Sequence, residues 1–305
     1  MSAISSSGFL CFFTNVIINL TKHHSDNCSS FPCLRIPAYL RIKLIAASAL
    51  LVLSFSLYNP GRRQMIIKYI VSTALELIAI TTALVTYPID ATRCDKKNAH
   101  FFKGQTPILL VHGYFHNSSA WLLMRHRLNS AGLGPVYTVN LGWPFHSITE
   151  YAEVLKKKVR LIQLETGCTR LRLIGHSMGG LVCEYYATAI APAGSVESII
   201  TLGSPLQGTK MSVLAIGKCV REMSYRSDFS KKLDQQVLCE GHIRRLHLAS
   251  ETDLIIRPTS AALPLYAKGD DSQSQNYTFD CLGHVSFLYS RSVVDKIVEF
   301  YGTTH

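Results

Sequence analysis

The chain has 305 residues, enough for one large domain with an accessory segment. Hydrophobic residues make up 48% of the chain and charged residues only 17%, which is apolar for a wholly soluble protein. The net charge of +11 is spread out, with ten Lys/Arg and four Asp/Glu in residues 1–97, so no basic block typical of nucleic-acid binding is present. A dispersed basic charge beside apolar segments favours anionic lipid headgroups instead.

The cysteine pattern predicts neither a metal site nor a disulfide framework. The nine cysteines are odd in number, and no C-x-x-C pair is followed by a second pair or by histidines. This spacing argues against a zinc site. It also favours a reducing compartment for the globular part of the chain.

Residues 1–97 are predicted to anchor the chain in a membrane. The apolar runs 42–58 and 66–87 flank a tight polar turn, 59–63, and the second run is long enough to cross the hydrocarbon layer. We therefore expect a transmembrane helical hairpin, with two buried helices of a soluble core as the alternative. Basic residues outside the hairpin outnumber those at its turn, which places both ends on the cytoplasmic side.

Glu76 lies inside the second apolar run, where an ionised carboxylate is costly. We expect it to be protonated or hydrogen-bonded to Ser54 or Ser56 across the hairpin. A functional role is the alternative interpretation.

From Thr106 onward, short apolar runs alternate with amphipathic stretches, a pattern typical of an α/β domain with parallel strands, here residues 98–305. The predicted strands are Pro107–Val111, Val136–Leu141, Leu171–Ile174, Val196–Leu202, Ile243–Ala249 and Gln275–Phe279. The predicted helices are Ser118–Ser130, Ser147–Thr166, Leu181–Ala191 and Val285–Tyr301, the second opening on a capping box of Ser147 and Glu150.

The stretch G-H-S-M-G-G, residues 175–180, is predicted to be a nucleophile elbow centred on Ser177. A strand precedes it and a helix follows it, which is the context that this motif requires. The serine at such a sharp turn adopts a strained backbone, so glycines are needed two residues to either side. The following helix directs its N-terminal N–H groups toward the same point.

A serine hydroxyl becomes a good nucleophile when a histidine accepts its proton and a carboxylate orients that histidine. In a doubly wound sheet these partners follow later strands, in the order serine, acid, histidine. Asp253 follows the fifth predicted strand and His284 follows the last one, so we assign both to the site. The competing acids are Asp270, Asp271 and Asp280, the last of them only four residues before His284.

Two backbone N–H groups are expected to form an oxyanion hole. One belongs to Met178, directly after the serine, and the other to Tyr114, in the loop after the first predicted strand. Phe115 is the alternative to Tyr114, and His112 is expected to support the loop. The histidine inside the motif, His176, is expected to pack beneath the turn.

Five segments together resemble bacterial triacylglycerol lipases and esterases of the α/β-hydrolase superfamily. They read P-I-L-L-V-H-G-Y, G-H-S-M-G-G, L-G-S-P-L-Q-G-T, T-D-L-I-I and G-H-V-S-F-L-Y-S, and they fall within residues 104–303. The resemblance implies an α/β-hydrolase fold, a Ser177–His284–Asp253 triad with an acyl-enzyme, and no cofactor or metal. The N-terminal hairpin is similar to that of membrane-anchored bacterial esterases, which implies the bacterial inner membrane.

Two departures from these lipases affect the site. Leu206 stands where lipases with a G-[ST]-P-H-x-G segment carry histidine, and the insert between Pro205 and Ile243 is long enough for a short cap with an apolar face. That face would hold Met211, Val213, Leu214 and Ile216, with a plain surface helix as the alternative.

The resemblance and the apolar N-terminal segment favour lipid esters such as acylglycerols as substrates. The alternatives are a lysophospholipase or thioesterase with the same triad, an inactive scaffold that binds an acyl ligand at the membrane, and a transporter element formed by the hairpin. Protein partners are not indicated by any motif.

Overall fold

The computed structural model describes residues 60–89, 92, 104–238, 242–257, 259–264 and 273–302. The first predicted helix of the hairpin, 42–58, and the acids Asp270 and Asp271 lie outside these residues. The chain divides into two units after Ile66, and every contact reported below belongs to the second unit. The division into segments 1–97 and 98–305 stays a prediction.

Six parallel strands form one sheet in the described part of the chain. They are β1 (Ile108–Val111), β2 (Val136–Val139), β3 (Leu171–His176), β4 (Val196–Leu202), β5 (Arg244–Ser250) and β6 (Ser274–Phe279). Their spatial order is β2-β1-β3-β4-β5-β6. The chain adds β2 on one side of β1 and β3 on the other, which leaves a crevice at the carboxyl ends of β1 and β3.

Helices cover both faces of this sheet. They are α2 (Leu122–Ser130), α3 (Ile148–Thr166), α4 (Met178–Ala189), α5 (Lys218–Glu222), α6 (Asp228–Leu238) and α7 (Arg291–Gly302), preceded by α1 (Pro60–Thr86). Because side chains alternate along a strand, Leu109 packs with α3, α4 and α6 while Ile108 and Leu110 pack with α2 and α7. The predicted α/β fold with a parallel, doubly wound sheet is confirmed.

Several helices begin or end at other residues than predicted. The expected turn 59–63 is helical from Pro60, since the fixed φ of proline suits the first position of a helix. Val285–Tyr301 is split into a 3₁₀ turn, Val285–Leu288, and α7. The predicted helix Ser118–Ser130 begins as a 3₁₀ turn, Ser118–Trp121, capped by the side chain of Asn117. The capping box at Ser147 is confirmed.

Among the described residues, one helix, Arg63–Thr86, is long and apolar enough to cross a membrane. Length and composition alone qualify it, and a buried core helix or a signal sequence meets the same criterion. A helical hairpin is not confirmed, because its first half lies outside the described residues.

A buried ion pair joins the helix that follows the serine turn to the strand that leads to Asp253. Arg245 Nε on β5 donates to Glu184 Oε2 on α4 at 3.2 Å, and the two side chains are 4% and 0% exposed. Burial raises the pKa of Glu184, and the guanidinium opposes that rise. The pair therefore fixes α4 against β5, so neither partner can be removed alone without leaving a buried charge.

We expect Arg245→Met to lower the free energy of unfolding by about 3–5 kcal/mol, because the Glu184 carboxylate is left unpaired. The double variant Arg245→Met with Glu184→Leu replaces the pair by apolar groups and should recover most of that loss. Urea unfolding of the detergent-solubilised chain measures the loss in the single variant and the recovery in the double variant. An Arg245→Met chain as stable as the wild type would contradict this account.

Candidate active site

Ser177 lies at the tip of the turn between β3 and α4, in a strained backbone conformation. Its φ of 54° and ψ of −125° lie in a region that residues other than glycine rarely adopt, at a cost of about 1–3 kcal/mol. Backbone hydrogen bonds hold the turn. The Ser177 N–H donates to the oxygen of Leu202, at the end of β4, at 2.9 Å, and the Gly180 N–H donates to Ser177 O at 3.1 Å. The side chain is 8% exposed at the carboxyl end of the sheet.

The residues around Ser177 are glycines because segments of backbone approach each other there too closely to leave room for a Cβ atom. A Cβ on Gly175 would lie 2.5 Å from backbone atoms of Gly179 and Gly180, and one on Gly179 would overlap the carbonyl oxygen of Val111. A Cβ on Gly113, in the loop after β1, would lie 2.9 Å from Cβ of Ser177. These close approaches place the β1 loop directly beside the serine.

Ser177, His284 and Asp253 form one hydrogen-bonded chain. His284 Nε2 lies 2.9 Å from Ser177 Oγ, and His284 Nδ1 lies 2.8 Å from Asp253 Oδ2. Asp253 follows β5, and His284 follows β6. Asp253 and Ser177 lie 31 and 107 positions before His284 in the chain. The three residues meet because their strands end at the same edge of the sheet. The arrangement lets the imidazole accept the serine proton while the carboxylate holds the ring.

The carboxylate of Asp253 is oriented by the backbone that follows it. Its Oδ1 accepts the N–H groups of Ile255 at 2.8 Å and Ile256 at 3.0 Å, which leaves Oδ2 directed at His284. Burial alone would raise the pKa of Asp253. Attraction to His284 and the N–H donors outweigh burial, so that pKa lies below its ordinary value of 3.8.

The imidazole of His284 is tuned by its charged neighbours. Burial disfavours the protonated ring, but the Asp253 carboxylate and, more weakly, the Glu76 carboxylate outweigh it. The pKa of His284 therefore lies above its ordinary value of 6.5. Such a base accepts a proton readily once the pH exceeds that pKa.

His176 supports the loop that carries His284. The buried ring lies beneath the serine turn, and its Nε2–H donates to the backbone oxygen of His284 at 2.9 Å. Burial and the nearby histidines hold the pKa of His176 well below 6.5, so the ring is neutral. The sequence pattern indicated its place beneath the turn but not this hydrogen bond, because the acceptor lies 108 residues away.

The residues expected to form an oxyanion hole lie on either side of Ser177. Met178 is the first residue of α4, where an N–H has no acceptor within the helix. Tyr114 follows Gly113 in the loop beside the serine, and its hydroxyl donates to Ile216 O at 2.5 Å. His112 accepts the Leu141 N–H at 3.0 Å and lies 2.9 Å from Gly113 O, so it holds this loop. Phe115 has a φ of 56° and is exposed.

Two other acids, Asp280 and Glu76, have partners that the sequence pattern did not predict. Asp280 forms an ion pair with Lys68 at 3.2 Å, and its side chain is 72% exposed. The carboxylate bonded to His284 is that of Asp253 instead. Glu76 accepts the backbone N–H groups of Val285 and Ser286, in the segment after His284. The partners expected for it, Ser54 and Ser56, lie outside the described residues. Sequence periodicity could not predict this contact, because it shows which face of a helix a residue occupies but not which segment packs against that face.

The insert between Pro205 and Ile243 contains a 3₁₀ turn, Lys210–Leu214, followed by α5 and α6. Val213 and Ile216 are 84% and 77% exposed, which leaves part of the predicted apolar face open. Leu206, at the position where the resembled lipases carry histidine, is buried in the core.

Exposed aromatic rings lie next to the β1 loop. Phe115 contacts Phe145 edge to face, with ring centroids 5.7 Å apart, and Phe145 contacts Trp143 in the same way at 5.2 Å. Trp143 is 64% exposed. The surface next to the β1 loop thus carries a row of three aromatic rings. No group of three or more metal-ligating side chains occurs within the described part of the chain.

Comparisons with known proteins agree on one family. A model described as the alpha/beta hydrolase family matches residues 108–264. Triacylglycerol lipases of Pseudarthrobacter phenanthrenivorans and Burkholderia plantarii are 35% identical over 115 residues, or 35% of this chain and 35% and 31% of theirs. The chain therefore spans about a third of the length of the curated relatives it matches. A lipase of Bacillus licheniformis shares the fold, with a TM-score of 0.53, 19% identity, and coverage of 64% of this chain and 92% of that one.

We expect Gly179→Ala to lower the free energy of unfolding by about 1–3 kcal/mol, because the new methyl group has to displace the carbonyl groups of Val111 and His112. Gly302→Ala is the matched control, since a Cβ there meets no atom within 4 Å. Urea unfolding compares the two variants. Equal stability would show that the loops after β1 and β3 do not approach as closely as described.

Proposed function

Because the chain belongs to the alpha/beta hydrolase family, we propose that it is a lipase or esterase that hydrolyses carboxylic esters of lipids. The observation that carries the proposal is the contact between Ser177 Oγ and His284 Nε2 at 2.9 Å, with Asp253 bonded to the other ring nitrogen. The curated relatives named triacylglycerol lipase support this class of reaction.

In the proposed reaction, Ser177 Oγ attacks the ester carbonyl carbon while His284 Nε2 accepts the hydroxyl proton. The tetrahedral intermediate collapses as the C–O bond to the alcohol breaks and His284 returns the proton to the leaving alkoxide. Water then attacks the acyl-enzyme with His284 again as base, which releases the acid and restores Ser177. Asp253 keeps the imidazole in the required tautomer throughout.

The backbone N–H groups of Tyr114 and Met178 are proposed to bind the oxyanion of each tetrahedral intermediate. Two observations support this. Met178 begins α4 directly after the serine, and the lack of a Cβ at Gly113 lets the Tyr114 loop approach Ser177 closely. Each such donor typically contributes a factor of about 10²–10³ to turnover.

Lipid esters are the proposed substrates, and α1 is the proposed membrane anchor. Exposed apolar side chains lie by the loop after β1, among them Phe115, Trp143 and Ile216. The outer face of α1 is apolar as well, with Ile67, Ile70, Val71, Leu75, Leu77, Ile78, Ile80, Leu84 and Val85 exposed. We accordingly propose that the protein lies at a membrane. The excess of basic residues flanking the predicted hairpin over those at its turn favours the cytoplasmic side for the catalytic domain.

We expect Ser177→Ala to abolish hydrolysis of p-nitrophenyl esters, a loss of roughly 10⁶-fold, because no nucleophile remains to form the acyl-enzyme. The assay compares detergent-solubilised wild type and variant on acyl chains from acetyl to palmitoyl. Highest activity on long chains supports a lipase, whereas activity confined to short chains supports an esterase. A Ser177→Ala variant with full activity would exclude the proposed mechanism.

The pH dependence of the reaction should follow His284. Because its pKa lies above 6.5 and only the neutral ring accepts a proton, kcat/KM should rise with pH through an acidic limb above pH 6.5. Asp253→Asn removes the main charge that raises this pKa, so the limb should move to lower pH while kcat falls by roughly 10⁴-fold. A limb that stays in place in Asp253→Asn would contradict the assigned pairing.

A further inference from the structure

The carboxylate of Glu76 on α1 accepts hydrogen bonds from the residues that follow His284. The Val285 N–H lies 2.8 Å from Oε1 and 3.0 Å from Oε2, and the Ser286 N–H lies 3.0 Å from Oε2. The Ser286 hydroxyl donates to the same Oε2 at 2.8 Å. One half-buried carboxylate therefore binds three donors from two consecutive residues.

The residue before His284 also touches Glu76. A Cβ on Gly283 would overlap the Glu76 side chain, and its carboxylate oxygen is the nearest atom. His284 is thus flanked on both sides by residues that contact Glu76. Its own carbonyl oxygen is held by His176 and its ring by Asp253, so Glu76 completes the fixation of this short segment.

Helix α1 is positioned for this contact by small residues and by polar anchors. Ser72, Ala79 and Ala83, on the same face as Glu76, are 2%, 3% and 7% exposed, so the helix lies close to the domain. Further contacts hold the helix along its length: Lys68 with Asp280 at 3.2 Å and Glu251 at 3.7 Å, Tyr69 with Arg257 at 3.2 Å, and the backbone oxygen of Tyr87 with Asn117 at 2.7 Å.

We propose that Glu76 is a positioning residue for His284: by binding the N–H groups of Val285 and Ser286, it keeps Nε2 of His284 within hydrogen-bonding distance of Ser177 Oγ. The proposal rests on the proposed function, because it assigns Glu76 a role in that reaction. It also makes the apolar helix α1 part of the active-site structure, beyond its proposed role as an anchor.

The electrostatic setting of His284 supports this role. The titratable groups that face it are Asp253 after β5, His176 at the end of β3, His116 in the β1 loop and Glu76 on α1. The two histidines are neutral, since burial lowers the pKa of each. Glu76 therefore supplies the second negative charge that favours the imidazolium formed during the reaction.

The test is Glu76→Gln in the full-length, detergent-solubilised chain, with Glu299→Gln as the matched control. Glu299 is exposed on α7 and forms an ion pair with Lys296. Glutamine keeps one acceptor oxygen but turns an NH₂ group toward the backbone donors. We expect kcat on a soluble p-nitrophenyl ester to fall by about 10- to 100-fold with KM unchanged, the range for losing a charge-assisted hydrogen bond.

The pH profile separates positioning from a merely structural role. Loss of the Glu76 charge lowers the pKa of His284, so the acidic limb of kcat/KM should move to lower pH in Glu76→Gln and not in Glu299→Gln. A second variant, Ser286→Ala, removes one donor to Glu76. In the double variant, Glu76→Gln with Ser286→Ala, kcat should fall by a smaller factor than the product of the two single decreases, because both changes break the same contact.

The outcomes distinguish this proposal from the function on which it rests. A wild-type chain that hydrolyses no ester would overturn both. An active wild type in which Glu76→Gln matches Glu299→Gln in kcat and pH profile would overturn the positioning role alone. A lowered melting temperature of Glu76→Gln with an unmoved acidic limb would also overturn it, by showing a purely structural contact.

Discussion

The geometry of the site depends on one strained turn, at Ser177. The backbone can reach this conformation only because β3 and α4 hold the turn from both sides and because the glycines at 175, 179 and 180 leave room for the chains that cross it. The same absence of side chains lets the loop after β1 contact the serine. A cost of about 1–3 kcal/mol in one residue is thereby matched by packing around it. The result is a hydroxyl presented at the carboxyl edge of the sheet.

His284 lies in a loop and depends on contacts from other parts of the chain. It follows β6 and precedes a 3₁₀ turn, and three side chains from distant parts of the chain hold it: Asp253, His176 and Glu76. The buried pair of Glu184 and Arg245 fixes the helix after Ser177 against the strand that leads to Asp253. Ser177, His284 and Asp253 are therefore held by separate interactions that converge on a single edge of the sheet.

Helix α1 has two chemically different faces. Its inner face carries small residues and Glu76 toward the loop of His284, while its outer face exposes large apolar side chains. Exposed aromatic rings at Phe115 and Trp143 lie by the loop after β1. In the proposed function, the same helix contacts lipid with its outer face and supports the segment that carries His284 with its inner face.

The sequence by itself determined the local features: the parallel α/β pattern, the strand–turn–helix around Ser177, the capping box at Ser147, and the strand ends after which Asp253 and His284 lie. These follow from periodicity, glycine sterics and the rule that parallel strands present their carboxyl ends at one edge. Only the tertiary structure decided the partners of Glu76, the bond from His176 to His284 and the place of Asp280 beside Lys68. Each of these contacts joins residues far apart in the chain, and a sequence pattern shows which face a residue occupies but not which segment packs against that face.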